Sequence, residues 1–229
     1  MLNIATNIIA SNYIKCFFGI MINFDETDDA FIAFAHIFMD LCEPNCSILQ
    51  YINVMKEILL GVTGGIAAYK SATIVSRLRQ HGIGISVVMT RSATKLIAPQ
   101  TFEALSGRPV RYSIFDAKMS HAHIELARPA DLFCIAPATA NILAKAAHGI
   151  ADDLVSTLIL SFEKPILFAP AMNTVMWNKP SVQRNVKQLR EDGMFFIGPE
   201  SGNLSCGETG IGRITEPDAI VDTILNWGF

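Results

Sequence analysis

From residue 57 onward the chain alternates two hydrophobic patterns. Unbroken apolar runs recur at residues 57–63 (EILLGVT), 85–90 (ISVVMT), 131–136 (DLFCIA), 165–169 (PILFA) and 194–197 (MFFI). Short runs of this kind, rich in β-branched and aromatic residues and without polar alternation, predict strands covered on both faces. Between them, residues 67–80, 92–105, 141–147, 154–162 and 182–191 carry apolar positions at helical spacing. Repeated strand–helix units imply right-handed crossovers. The expected architecture is therefore α/β and three-layered, with a mostly parallel open sheet of the Rossmann or flavodoxin-like kind. In such sheets, ligands sit beyond the carboxyl ends of the strands.

Residues 1–54 break this rhythm, showing neither period-2 alternation nor a sustained helical stripe outside residues 30–41. Six acids against the single base Lys15 give this segment a charge of −5, while the rest of the chain carries +2. The expected division is an extension of unknown role at 1–54 and a complete domain at 55–229, with Met55 as a candidate initiation site.

Composition narrows the classes. Hydrophobic residues make up 51% of the chain and charged residues 17%, a balance that supports a buried core and argues against disorder. The net charge of −3 supplies no cationic field for a nucleic acid. The longest apolar stretches, such as residues 16–22, fall short of the roughly 18 residues of a membrane-spanning helix. The five cysteines, Cys16, Cys42, Cys46, Cys134 and Cys206, form neither a disulfide framework nor a metal-ligand pattern. With no secretory signal in view, they fit reduced thiols in the cytoplasm.

Candidate chemistry gathers where strands end. The first strand runs into Gly64, Gly65 and Ile66 and then a helix, an arrangement that offers bare amides to a phosphate; a plain tight turn is the alternative. The second strand ends at Thr90, Arg91 and Ser92, where a dinucleotide binder would carry an acid for the ribose hydroxyls. A mononucleotide is therefore favoured over NAD. The third strand ends in Pro137, Ala138, Thr139, Ala140 and Asn141, small residues that admit a flat ring, although Asn141 could simply cap the next helix. Asp152 and Asp153 read equally well as acids favoured by a helix dipole. His123 shares its stretch with His121, and a lone histidine there is more often structural. The fourth strand leads into 170–177 (PAMNTVMW), which carries Met172 and Asn173, and Cys206 sits in the glycine-dense stretch 202–213. A mobile flap bearing a thiol competes there with an inert surface cysteine.

Taken together, residues 64–70 (GGIAAYK), 123–126 (HIEL), 137–141 (PATAN), 170–173 (PAMN) and the Cys206 loop resemble the flavin-dependent cysteine decarboxylases. The likeness runs from about residue 56 to 224. It is nearest to the branch acting on 4′-phosphopantothenoylcysteine, found as the N-terminal half of a bifunctional bacterial coenzyme A biosynthesis protein. One departure is Ser205, where that family has alanine. The resemblance implies FMN as cofactor, held by Gly64, Gly65, Ile66, Thr90 and Ser92, with Pro137, Ala138, Thr139, Ala140 and Ala171 along the ring. It implies His123 as base, Asn173 with Met172 as substrate contacts, and Cys206 as proton donor. It also implies a homotrimer or a multiple of one, a phosphopantothenate–cysteine ligase in a fused domain or separate chain, and no metal. Alternatives within the resemblance are a peptidyl-cysteine decarboxylase and a non-catalytic flavoprotein regulatory subunit.

Overall fold

A strand with no polar face must be covered on both sides, and the five apolar runs accordingly form one parallel sheet. A computed structural model describes residues 56–114, 122–205 and 207–227. Its strands are β1 Glu57–Val62, β2 Gly84–Met89, β3 Leu132–Ala138, β4 Ile166–Pro170 and β5 Phe195–Phe196, in the order β2-β1-β3-β4-β5. This is the flavodoxin-like order, whose direction of winding reverses between β1 and β3 and opens a crevice at their carboxyl ends. The seven residues of β3 are all buried.

Alternate residues of β1 feed two cores. Ile58, Leu60 and Val62 pack under helices α1 Ala68–Gln80 and α2 Pro99–Ser106, with Ile220 and Ile224 of a late helix. Leu59 faces the other layer, with Phe133, Leu143, Leu158 and Val186. That layer is built by α3 Ala122–Ala127, α4 Ala140–Ala147, α5 Leu154–Ser161, the single turn α6 Thr174–Trp177 and α7 Pro180–Glu191, and α8 Pro217–Leu225 completes the first. At the opposite, amino edge of the sheet, Arg108 grips the Glu57 carboxylate through both terminal nitrogens at 2.6 and 2.9 Å. That hydrogen bond raises the guanidinium pKa further.

The predicted helix over 92–105 is instead a 3-10 turn at Ala93–Lys95 followed by α2. Pro99 forces Ala98 into extended backbone (ψ 136°) and then serves as the first helical residue, which its fixed φ suits. The glycine-dense stretch expected to be a loop is an antiparallel hairpin, β6 Glu200–Asn203 with β7 Thr209–Arg213.

Cys134 lies at the centre of β3, fully buried, and burial pushes its thiol from 9.0 up to about 12. The folded state thus keeps a proton that the unfolded chain loses. Stability from this site is intact below pH 9 and falls as the pH rises towards 12. With a thiolate fraction of about one in ten thousand at pH 8, Cys134 is expected to stay unalkylated by iodoacetamide in the native protein and to react after denaturation. Peptide mass mapping reads this directly, and native labelling would show that the strand opens.

Candidate active site

Four strand ends and the hairpin enclose one cleft of about 1200 Å³. After β1 the chain turns through Gly64 and Gly65 into α1, which starts without a side-chain cap and without an acid in its first turn. The Gly65, Ala68 and Lys70 amides donate to the carbonyls of Thr63, Gly65 and Ala67, so what this start offers an anion is the helix dipole and the amides between them. A side chain at Gly64 would overlap the Cβ of Ser92, whereas one at Gly65 would meet the Thr139 methyl at 3.2 Å. The loops after β1 and β2 therefore touch, and glycine is what allows it. Thr90 is turned inward, its hydroxyl accepting from the Ala93 amide at 3.2 Å, while Arg91 and Ser92 are exposed along the cleft.

Two hydroxyls that the sequence reading passed over shape the crevice. Thr63 donates to the Pro137 carbonyl at 2.6 Å, and Ser71 donates to the Ala136 carbonyl at 2.6 Å. Both side chains are buried. Pro137 has no N–H for a ladder, the β3–β4 register shifts between Ile135 and Ala138, and the hydroxyls take up the carbonyls concerned. Pro137 and Ala138 are consequently buried within β3 and do not line the cleft, while Thr139 and Ala140 do. The cap of α4 is Thr139, whose hydroxyl accepts from the Ile142 amide. Asn141, considered for that role, is exposed on the cleft wall.

Beyond β4, Ala171, Met172 and Asn173 line the same cleft. Asn173 Oδ1 accepts from the Met176 amide at 2.7 Å and caps α6. One lone pair of Oδ1 is thus committed to the fold, and the side chain's orientation is fixed so that its two Nδ2 donors are offered to a ligand. The hairpin rests on this segment through its backbone: the Met172 amide donates to the Gly212 carbonyl at 3.0 Å. Gly212 has φ 136°, and a Cβ there would overlap the Met172 carbonyl oxygen, so only glycine permits the seat. Leu204 and Ser205 reach the cleft from the hairpin turn. Cys206 comes next and lies outside the described residues, as does the side chain of His123, whose backbone belongs to α3.

The charges around the cleft are mostly paired. Lys145 bridges Asp152 at 2.6 Å and Asp153 at 2.8 Å, and its hydrogen bond holds the Asp152 carboxyl below the usual range. Asp153 also caps α5 in a reciprocal pair with Ser156, so both acids serve the fold. Arg91 makes no ion pair among the described residues. No cluster of His, Cys, Asp and Glu there could hold a metal ion, and no described helix is long and apolar enough to cross a membrane.

An acid-free, uncapped helix start facing a deep crevice is what a phosphate-bearing ligand requires, and the family model named Flavoprotein matches residues 48–228. The chain belongs to the flavoprotein family. Among its relatives, the coenzyme A biosynthesis bifunctional protein CoaBC of Vibrio vulnificus strain YJ016 is 46% identical over 168 residues, 72% of this chain and 42% of that protein. CoaBC of Escherichia coli K12 is 45% identical over 169 residues, 73% of this chain and 42% of its own length. The chain thus spans less than half the length of these flavoprotein relatives. Among solved structures, a mutant PPC decarboxylase complexed with pantothenoylaminoethenethiol is 32% identical, with a TM-score of 0.68 over 76% of this chain and 99% of that one. The FMN-dependent cysteine decarboxylase SpaF is 39% identical, with a TM-score of 0.64 over 74% and 95%.

Proposed function

We propose that this chain is an FMN-dependent carboxy-lyase that converts 4′-phosphopantothenoylcysteine to 4′-phosphopantetheine in coenzyme A biosynthesis. The observation that carries the reading is the 45–46% identity to the bifunctional coenzyme A proteins, over a region in which four strand ends open into one cleft. Its residues fit the cofactor. The Gly64–Gly65 turn and the amides after it would take the phosphate, Thr90 and Ser92 the polar chain, and Thr139, Ala140 and Ala171 the flat ring.

A C-terminal cysteine amide has nowhere to put the electron pair left behind by CO2. FMN held by the Gly64–Gly65 turn, Thr90, Ser92, Thr139, Ala140 and Ala171 would supply reversible hydride chemistry, and the thiol-bearing carbon, once oxidised to a thiocarbonyl, would take up that pair. His123 removes the thiol proton first, since a base with a pKa near working pH does this best. Asn173 holds the substrate carboxylate through Nδ2 and so aligns the bond that breaks. Cys206 then delivers a proton to the carbon vacated by CO2.

We place the reaction in the cytoplasm, in a homotrimer or a multiple of one, with a phosphopantothenate–cysteine ligase supplying the substrate from a further domain or a separate chain. Ile66, Tyr69, Tyr112 and Met176 are exposed at the cleft mouth, an apolar rim suited to a second subunit. The deciding experiment is an absorption spectrum of the purified protein, followed by mass analysis of incubations with 4′-phosphopantothenoylcysteine and with a peptide ending in cysteine. Bound flavin and turnover of the first substrate are expected. Turnover of the peptide alone would transfer the reading to a peptidyl-cysteine decarboxylase, and a colourless chain unable to take up FMN would end both.

Gly64→Ala tests the phosphate turn. Because its Cβ would collide with Ser92, flavin affinity is expected to fall about tenfold or more. Gly65→Ala, facing a methyl at 3.2 Å, should cost less. Fluorescence titration of the flavin-free protein measures both, and equal affinities would show that the turn does not hold the cofactor.

A further inference from the structure

The hairpin beside the cleft is held by few side chains, with Ile211 alone of its strand residues packing against the core. Its strands are mostly glycine and polar residues, and its seat on Met172 is a backbone contact. Three buried polar atoms along it, Thr174 Oγ1, Arg213 Nε and Thr215 Oγ1, have no partner. Its open end, however, is tied. Arg213, which faces Glu200 across the register, bonds Glu200 Oε2 through Nη2 at 3.2 Å and Glu216 Oε1 through Nη1 at 3.2 Å. Glu216 occupies the N-cap position of α8 yet makes no side-chain cap. Its two oxygens instead accept from Lys70 Nζ at 3.1 and 3.0 Å. Lys70 stands in the first turn of α1, directly after the Gly64–Gly65 turn.

We infer that Glu216 is a positioning residue that fixes the root of the β6–β7 hairpin to the helix following the phosphate turn, and so sets where the hairpin presents its proton donor. The inference rests on the role proposed for Cys206. The step it governs is balanced: one proton adds to the carbon that lost CO2, the hydride taken earlier returns to the thiol-bearing carbon, and no outside reductant is consumed. Glu216 is half-exposed, and pairs of that kind add little to global stability. Its loss should therefore loosen the hairpin without unfolding the domain.

The test is Glu216→Gln, which keeps the size and removes the charge, assayed anaerobically with holoenzyme in excess of substrate. CO2 is expected to appear at the wild-type rate, while the enethiol intermediate decays about three- to tenfold more slowly to the saturated thiol. Hydrogen exchange of peptides spanning 200–213 should be faster in the variant, with the sheet strands unchanged. An unaltered enethiol lifetime, or a fall in both steps together, overturns the inference. Wild-type protein that binds no flavin or releases no CO2 instead brings down the functional reading itself, and the inference falls with it. Glu216→Asp, one methylene shorter, should lie between glutamine and wild type; a lifetime equal to that of glutamine with unchanged exchange would show that the ion pair does not position the hairpin.

Discussion

Cys206→Ser is expected to release CO2 normally in its first turnover and then to stall. The product should be the unsaturated enethiol, two hydrogens lighter than the thiol, with formation of the saturated product slowed by ~10²- to 10⁴-fold, the usual cost of losing a general acid. The reason is acidity. A thiol with an ordinary pKa of about 8.5 gives up its proton near neutral pH, whereas a serine hydroxyl of nearly the same size does not. Because the electron pair is not returned, anaerobic CO2 release should stop near one per site. Mass analysis of a single-turnover quench shows both effects. If the serine variant turns over like wild type, the hairpin thiol is not the donor. Cys134 is no alternative donor, since it is fully buried in β3 and burial pushes its thiol up to about 12.

The sheet was legible because its signal is local. Each of the five parallel strands is an apolar run, and the site loops lie in the few residues immediately after the first four. Pro99 stands in plain view, and weighing it would have split the predicted helix over 92–105. The hairpin was harder. Gly202, Gly207, Gly210 and Gly212 leave no hydrophobic alternation to read. Two of them are glycine because of distant neighbours: Gly210 lies against Thr174 and Gly212 against Met172. The groups that fix the crevice were illegible for the same reason. Ser71 finds its partner 65 residues away, Thr63 at 74 and Lys70 at 146, separations at which one sequence carries no pairing signal. Asn173 was legible as a candidate, but the division of labour within its carboxamide was not, since that depends on the Met176 amide closing the turn above it.

That division yields the second large effect. Asn173→Asp retains the cap, because aspartate accepts at the N-cap as well as asparagine and its charge suits the helix start. Melting temperature and flavin content are therefore expected to match or slightly exceed wild type. What changes is the other end of the side chain, where two N–H donors become a carboxylate oxygen facing the substrate's own carboxylate. Like charges brought together at a binding surface cost several kcal/mol. At about 1.4 kcal/mol per decade, kcat/KM should fall by roughly 10²- to 10³-fold. Asn173→Ala separates the terms, since it loses the donors without adding repulsion but also gives up the cap, at about 1 kcal/mol of stability. The aspartate variant should thus be the more stable and the less active of the two. Near-normal kcat/KM in that variant would mean that the carboxamide serves the helix alone, and that the carboxylate destined to leave as CO2 is held by another group on the cleft wall.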